Sequence, residues 1–218
     1  VVFDQGDRFW ETLEHRQALE DGSAFPIHFL RVANSSRIPI NEGCRAAYEL
    51  GAEYIVRVND DTEFTSEGWL SSAVHTLRSF APRNLGVVGP TCQQGNNKIL
   101  THDMVHRTHL RIFEEYYPSE FDNWWLDDWM SHVYGARHTS KLPNWVVLHN
   151  THTYGTRYVP NLEQKRILTS ALLYTKQQII DFVTMGVCQT REASIFSSER
   201  VDLISKHRRY NSGTGLFR

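Results

Sequence analysis

Apolar residues fall in short runs through the first ninety positions, and polar residues punctuate them. VVFDQGD (1–7) is an apolar run closed by Asp and Gly, which predicts a strand meeting a loop. Residues 8–20 place Phe9, Leu13 and Leu19 at roughly helical spacing. DGSAFP reads as a turn and IHFLRV (27–32) as a second strand. After the loop NSSRIPINEG, residues 43–51 (GCRAAYELG) predict a helix closed by Gly51. AEYIVRV (52–58) carries the clearest strand pattern. Its run of branched residues admits one arginine and ends in the acidic turn NDDTE. Residues 66–80 predict a helix with Trp69, Val74, Leu77 and Phe80 on its apolar face. NLGVVGP (84–90) predicts a short buried strand. Strand and helix thus alternate through residues 1–90, the pattern of an α/β domain with a mainly parallel sheet. Such sheets bind ligands beyond the carboxyl ends of their strands, where the acidic turn sits.

The second half differs. Residues 91–160 are dense in His, Asp, Trp and Tyr, residues 162–183 return to helical character, and the tail RRYNSGTGLFR reads as loose. No repeat or low-complexity segment appears. The 218 residues suit one domain, or one with a small subdomain. A net charge of −2 gives no basic excess for nucleic acid. The three cysteines form no CxxC pair, which argues against a zinc ribbon or a redox motif. No apolar stretch is long enough to predict a membrane span, and no signal peptide is read. The chain opens in a strand with no initiator Met and reads as a piece of a longer one. One N-x-S sequon lies at Asn34–Ser36. The secretory lumen and the cytoplasm both stay open as compartments.

Three clusters could carry chemistry. In Asn59-Asp60-Asp61-Thr62-Glu63 the carboxylates repel unless they are solvated or a cation neutralises them. Mg²⁺ and Mn²⁺ take one or two carboxylates together with substrate phosphates. A solvated turn that caps the next helix accounts for the same residues. In WWLDDW (124–129), Asp127 and Asp128 sit among tryptophans, where apolar rings raise proton affinity as a general base requires. Aspartates capping a helix with an aromatic core face is the plainer account. The third cluster is His102, His106 and His109, followed by His149 and His152 after the apolar run WVVL. Its spacing matches no zinc protease motif, but a strand-end His could complete a site begun by Asp61.

The run NEGCRAAYELGAEYIVRVNDDTEFTSEGWL resembles the central block of GT-A glycosyltransferases, especially the family-2-like group. Asn59-Asp60-Asp61 stands where that family carries its DxD motif, with Asn59 replacing the first acid. The resemblance makes Asp61 the metal ligand and Asp60 a sugar or ribose contact. VVFDQGD resembles the strand that cups the nucleotide base and nominates Asp4, with Gln5 in place of a second Asp. GVVGP resembles the strand leading to the acceptor side. WWLDDW falls at the x-E-D motif, making Asp128 the base of an inverting enzyme, with Asp127 in place of Glu. His149 or His152 stands where some members have a late metal-binding His. The likeness covers roughly residues 1–160, and the family's first strand is not seen.

The resemblance implies a GT-A, Rossmann-like sheet flanked by helices, with a smaller mixed region on the acceptor side. Residues 1–90 would form the nucleotide-sugar half, 91–160 the acceptor and catalytic half, and 161–218 a C-terminal helical segment and tail. The implied reaction is metal-dependent transfer from a nucleotide-diphosphate sugar, UDP favoured, to a hydroxyl of a carbohydrate or glycoconjugate. Arg45 and Arg157 join Asp4, Asp60 and Asp61 on the donor side. His102, Asp103, Arg107, Trp124, Trp125 and Trp129 line the acceptor side. Mg²⁺ or Mn²⁺ bridges the phosphates. Two rivals are a metal-dependent phosphohydrolase built on His102, Asp103, His106 and His109, and a non-catalytic sugar- or nucleotide-binding domain.

Overall fold

The computed structural model describes residues 1–33, 37–150 and 160–210, with side chains through residue 186. The sequon at 34–36, His152, Arg157 and the tail beyond residue 210 lie outside the described residues. The chain divides into two units, Val1–Lys176 and Gln177–Arg218.

The first unit opens with β1 (Val2–Asp4), α1 (Leu13–Asp21), β2 (Leu30–Val32), α2 (Ile40–Glu49) and β3 (Tyr54–Arg57). It continues through β4 (Thr62–Phe64), α3 (Trp69–Ser79), β5 (Val87–Cys92), β6 (Asp103–His106), α4 (Thr108–Phe113), α5 (Leu126–Val133) and β7 (Thr139–His149). Helix α6 spans Leu162–Tyr210. Every predicted strand and helix of the first ninety residues is present, displaced by a few residues at its ends.

The expected mainly parallel sheet is not what forms. β1 and β2 make a two-stranded parallel sheet, and a separate five-stranded sheet runs in the order β3-β6-β5-β7-β4. In the larger sheet only β5 and β7 are parallel; β3–β6, β5–β6 and β4–β7 are antiparallel. Connection length explains the departure. Residues 93–102 between β5 and β6 are too few for a helical crossover, so β6 returns antiparallel and inserts between β3 and β5. β3 and β4 are linked by residues 58–61 alone, yet they lie at opposite ends of the strand order. Four intervening residues reach at most ~17 Å, while five flat strands would put the two edges ~19 Å apart. The sheet must therefore curl, and the acidic turn closes the curl.

Helix α2 packs on β1, β2 and β3. Its fit on β1 needs glycine: a Cβ at Gly43 would stand 2.6 Å from Val2 Cγ2. Helix α3 seals one face of the large sheet through Ala73 and Leu77, which pack with Val88, Met104, Leu142, Trp145 and Val147. Trp69 stacks on Trp145 at 4.6 Å between ring centres. A second aromatic cluster gathers His109, Phe113, Tyr117 and Trp129 around α4 and α5. α1 buries no residue, so its helical pattern comes with no buried face.

Candidate active site

The turn from β3 to β4 carries Asn59, Asp60 and Asp61, and β7 ends beside it. Thr62 faces His149 in the β4–β7 register, and the Asn150 backbone N–H donates to the Asp61 carbonyl at 2.9 Å. His149 Nε2 lies 3.0 Å from Asn59 Nδ2 and 3.1 Å from Asp61 Oδ1. Arg57 Nη1 donates to Asn59 Oδ1 at 3.0 Å. A guanidinium can only donate, so the amide oxygen must face it and the amide nitrogen must face the histidine. The amide N–H then donates to Nε2, which is therefore the unprotonated ring nitrogen.

Asp61 Oδ1 consequently faces a second acceptor. It is buried and makes no hydrogen bond, and His149 Nδ1 is likewise buried without one. The Asn59 amide takes the single Nε2 lone pair here, so a cation held by Asp61 and His149 would have to displace that N–H. Adjacent ligands of a hard divalent cation with ~2.1 Å bonds stand ~3 Å apart, so the spacing of Asp61 Oδ1 and His149 Nε2 suits Mg²⁺ or Mn²⁺ once the Asn59 amide has turned away. Among the described residues no group of three or more His, Cys, Asp or Glu could hold a metal. A pair of protein donors is the number that leaves positions for substrate phosphates.

His102 stands behind this pair, its ring edge-on to His149 at 4.8 Å. Thr62 Oγ1 and Thr101 Oγ1 flank its two ring nitrogens. Burial, with help from Arg57 and His149, lowers its pKa to about 3, so the ring is neutral. It is completely buried and does not line an acceptor surface as the sequence reading expected.

Arg57 is the residue that the sequence reading left without a role. Its side chain is 7% exposed. Nε donates to Tyr117 Oη at 2.9 Å, and Nη1 also donates to the Thr101 carbonyl at 2.8 Å. Nη2 donates to Asp127 and lies 3.0 Å from Asp103 Oδ2. Tyr116 and Tyr117 donate their hydroxyls to the two Asp103 oxygens at 2.5 and 2.6 Å. Burial holds both phenols well above their ordinary pKa, so they remain donors. Asp103, expected on the acceptor side, is instead a fully buried structural anion. The signal for this network was present in the sequence: a lone arginine in an apolar strand, two positions from Ile55 on the same buried face.

Helix α5 presents the other pair of acids in its first turn, where the helix dipole favours negative charge. Enclosure by the protein pushes the Asp127 carboxyl up, against the pull of Arg57. Asp128 stands beside Asp127 in that first turn. Trp125 caps the helix at a left-handed φ of 72°. Trp125 Nε1 donates to the Asn161 carbonyl at 2.8 Å, and Lys165 lies over its ring. Trp124 is half-buried. Trp129 is completely buried against Phe113 and Tyr117, so it offers no face to a sugar.

The remaining nominees are dispersed. Asp4 ends β1, and its buried Oδ1 has no hydrogen-bond partner. Arg107 lies over the Tyr48 ring at 4.6 Å, and its backbone N–H donates to the Glu53 carbonyl. That places Arg107 at the opposite end of β3 from the acidic turn, away from the acceptor side. Arg45 lies over the same Tyr48 ring at 5.9 Å. His109 spends both ring nitrogens on Tyr134 Oη and the Tyr116 carbonyl. No family model matches the chain, and no match was found among curated proteins or solved structures.

Proposed function

We propose that this chain is a metal-dependent glycosyltransferase that moves a sugar from a nucleotide-diphosphate sugar, UDP-linked by preference, to an acceptor hydroxyl with inversion. The observation that carries the reading is the Asp61 Oδ1–His149 Nε2 pair at the strand ends: a buried carboxylate oxygen without a hydrogen bond, 3.1 Å from a histidine nitrogen. When bound there, Mg²⁺ or Mn²⁺ offsets the charge that develops on the departing diphosphate.

The chain's own residues do the rest. Asp61 and His149 hold the cation. Asp4, with its unpartnered buried oxygen, accepts an N–H from the nucleotide base. Asp60 meets the ribose or the donor sugar. Asp128 takes the proton from the acceptor hydroxyl as that oxygen attacks the anomeric carbon and the bond to the diphosphate breaks. Asp127, engaged by Arg57, leaves Asp128 as the free acid of the pair. Trp124 and Trp125 flank the acceptor.

A thermal-shift titration with UDP, GDP and CMP, each with and without Mn²⁺, tests the donor site. Stabilisation by UDP only when Mn²⁺ is present is the expected result. A flat response to every nucleotide, with or without metal, removes the reading.

A further inference from the structure

The geometry points to Asn59 as the residue that sets how tightly the site takes its cation, by competing with the cation for His149. The Asn59 amide N–H lies on His149 Nε2, the ring nitrogen that the cation needs, so binding requires the Asn59 side chain to leave. The inference rests on the transferase reading above and assigns a role to a residue which that reading does not use.

An unprotonated imidazole nitrogen has one lone pair, which a proton donor and a metal ion cannot share. Asn59 Nδ2 lies 3.0 Å from Nε2, and Asp61 Oδ1 lies 3.1 Å from the same atom. The Asp61 side chain is only 10% exposed, and its Oδ1 has no hydrogen bond. An arriving cation therefore finds the carboxylate oxygen unpartnered and the imidazole nitrogen taken. Arg57 is what keeps the amide there. Its Nη1 donates to Asn59 Oδ1 at 3.0 Å. The guanidinium itself is fixed: Nε holds Tyr117, Nη1 also reaches the Thr101 carbonyl, and Nη2 holds Asp127 and sits beside Asp103. An amide that rotated in place to offer its oxygen to the cation would set its NH₂ group against Nη1, donor against donor. The whole side chain must swing out and give up both hydrogen bonds. Nη1 keeps the Thr101 carbonyl when it does. A ligand that binds only one of two conformations loses affinity in proportion to the population of the other, so the hydrogen-bonded Asn59 weakens the site for the ion.

The test uses the whole chain and Mn²⁺ alone, with binding followed by the electron paramagnetic resonance signal of the free ion. Asn59→Ala removes the competing N–H and spares the other Arg57 contacts; its folding is checked by near-ultraviolet circular dichroism. It is expected to bind Mn²⁺ at least about 10-fold more tightly than the wild type, because one hydrogen bond to a charged group is already worth that factor. A merely structural Asn59 would loosen the turn on removal and weaken binding. Unchanged or weaker binding in folded Asn59→Ala, beside a wild type that binds Mn²⁺, overturns the competition while the transferase reading stands. Failure of both chains to bind Mn²⁺ overturns both. A second measurement needs no variant and carries the test where Asn59→Ala does not fold. In the wild type, nitrogen–proton correlation spectra follow the Asn59 side-chain amide as Mg²⁺ is added. Its protons are expected to exchange faster with water once Mg²⁺ has bound, because the amide has left His149. Amide protons that stay protected in the Mg²⁺-bound chain overturn the proposal.

Discussion

Two polar clusters lie within a few residues of each other along β3 and its turn, and they differ in how well they are satisfied. Around Arg57 every guanidinium nitrogen has a partner, and Asp103 accepts two tyrosine hydroxyls. Around Asp61 a buried carboxylate oxygen and a buried imidazole nitrogen have no hydrogen bond. Buried polar groups are normally paired, and leaving one unpaired costs about 1–3 kcal/mol. The complete network is scaffold, and the incomplete one is where a further partner could still be accommodated. The Asn59 side chain joins the two.

The largest effect expected from breaking this contrast is at the incomplete end. Asp61→Ala should reduce metal-dependent transfer to background while the unfolding midpoint in urea stays near that of the wild type, because the lost oxygen had no partner to strand. Asp128→Asn follows. It should lower turnover by about 10²–10⁴-fold, the usual worth of a general base, and leave Mn²⁺-dependent UDP binding intact. Unchanged turnover in that variant removes Asp128 as the base.

At the complete end the effect should fall on stability. Asp103→Ala leaves the buried Arg57 charge with Asp127 alone, and removing one partner of a buried pair typically costs about 3–5 kcal/mol. Urea unfolding followed by tryptophan fluorescence would measure it. A loss below about 1 kcal/mol, the range of an exposed pair, would mean that the network is not the scaffold described here.

How far the sequence disclosed these clusters depends on the range of the interactions. The strands and helices of residues 1–90 were legible because periodicity is a local property. The acidic turn was legible because its residues are adjacent in the chain, and a strand-end histidine, His149 or His152, was read as the neighbour of Asp61; the structure brings His149 beside it, and His152 lies outside the described residues. The sheet direction was not legible, since β6 enters from the second half and its antiparallel course follows from a loop length read only once both strands are known. The fates of Trp129, His102 and Asp103 were misjudged for one reason. Polar and aromatic residues in a dense segment look like a binding surface, yet here they pack inward because partners from distant segments satisfy them. Arg57 was the residue to question, because an arginine among Ile55, Val56 and Val58 requires buried anions that no local pattern supplies.

The smallest expected effect tests whether the aromatic cluster behind α5 is as complete as the Arg57 network. His109 is buried, with both ring nitrogens engaged, and burial lowers its pKa to about 4. In the unfolded chain the same ring titrates near 6.5. Between those values the unfolded state binds a proton that the native state does not, so stability rises with pH. The contribution is fully present above about pH 6.5 and is lost as pH falls toward 4, by at most about 1.4 kcal/mol per unit for one proton. His109→Gln can keep one donor and one acceptor and does not titrate there. Urea unfolding at a series of pH values between 4 and 7 should therefore show a shallower slope for the variant than for the wild type. Parallel slopes would mean that His109 takes up its proton in the native state, and that its two hydrogen bonds do not hold it neutral.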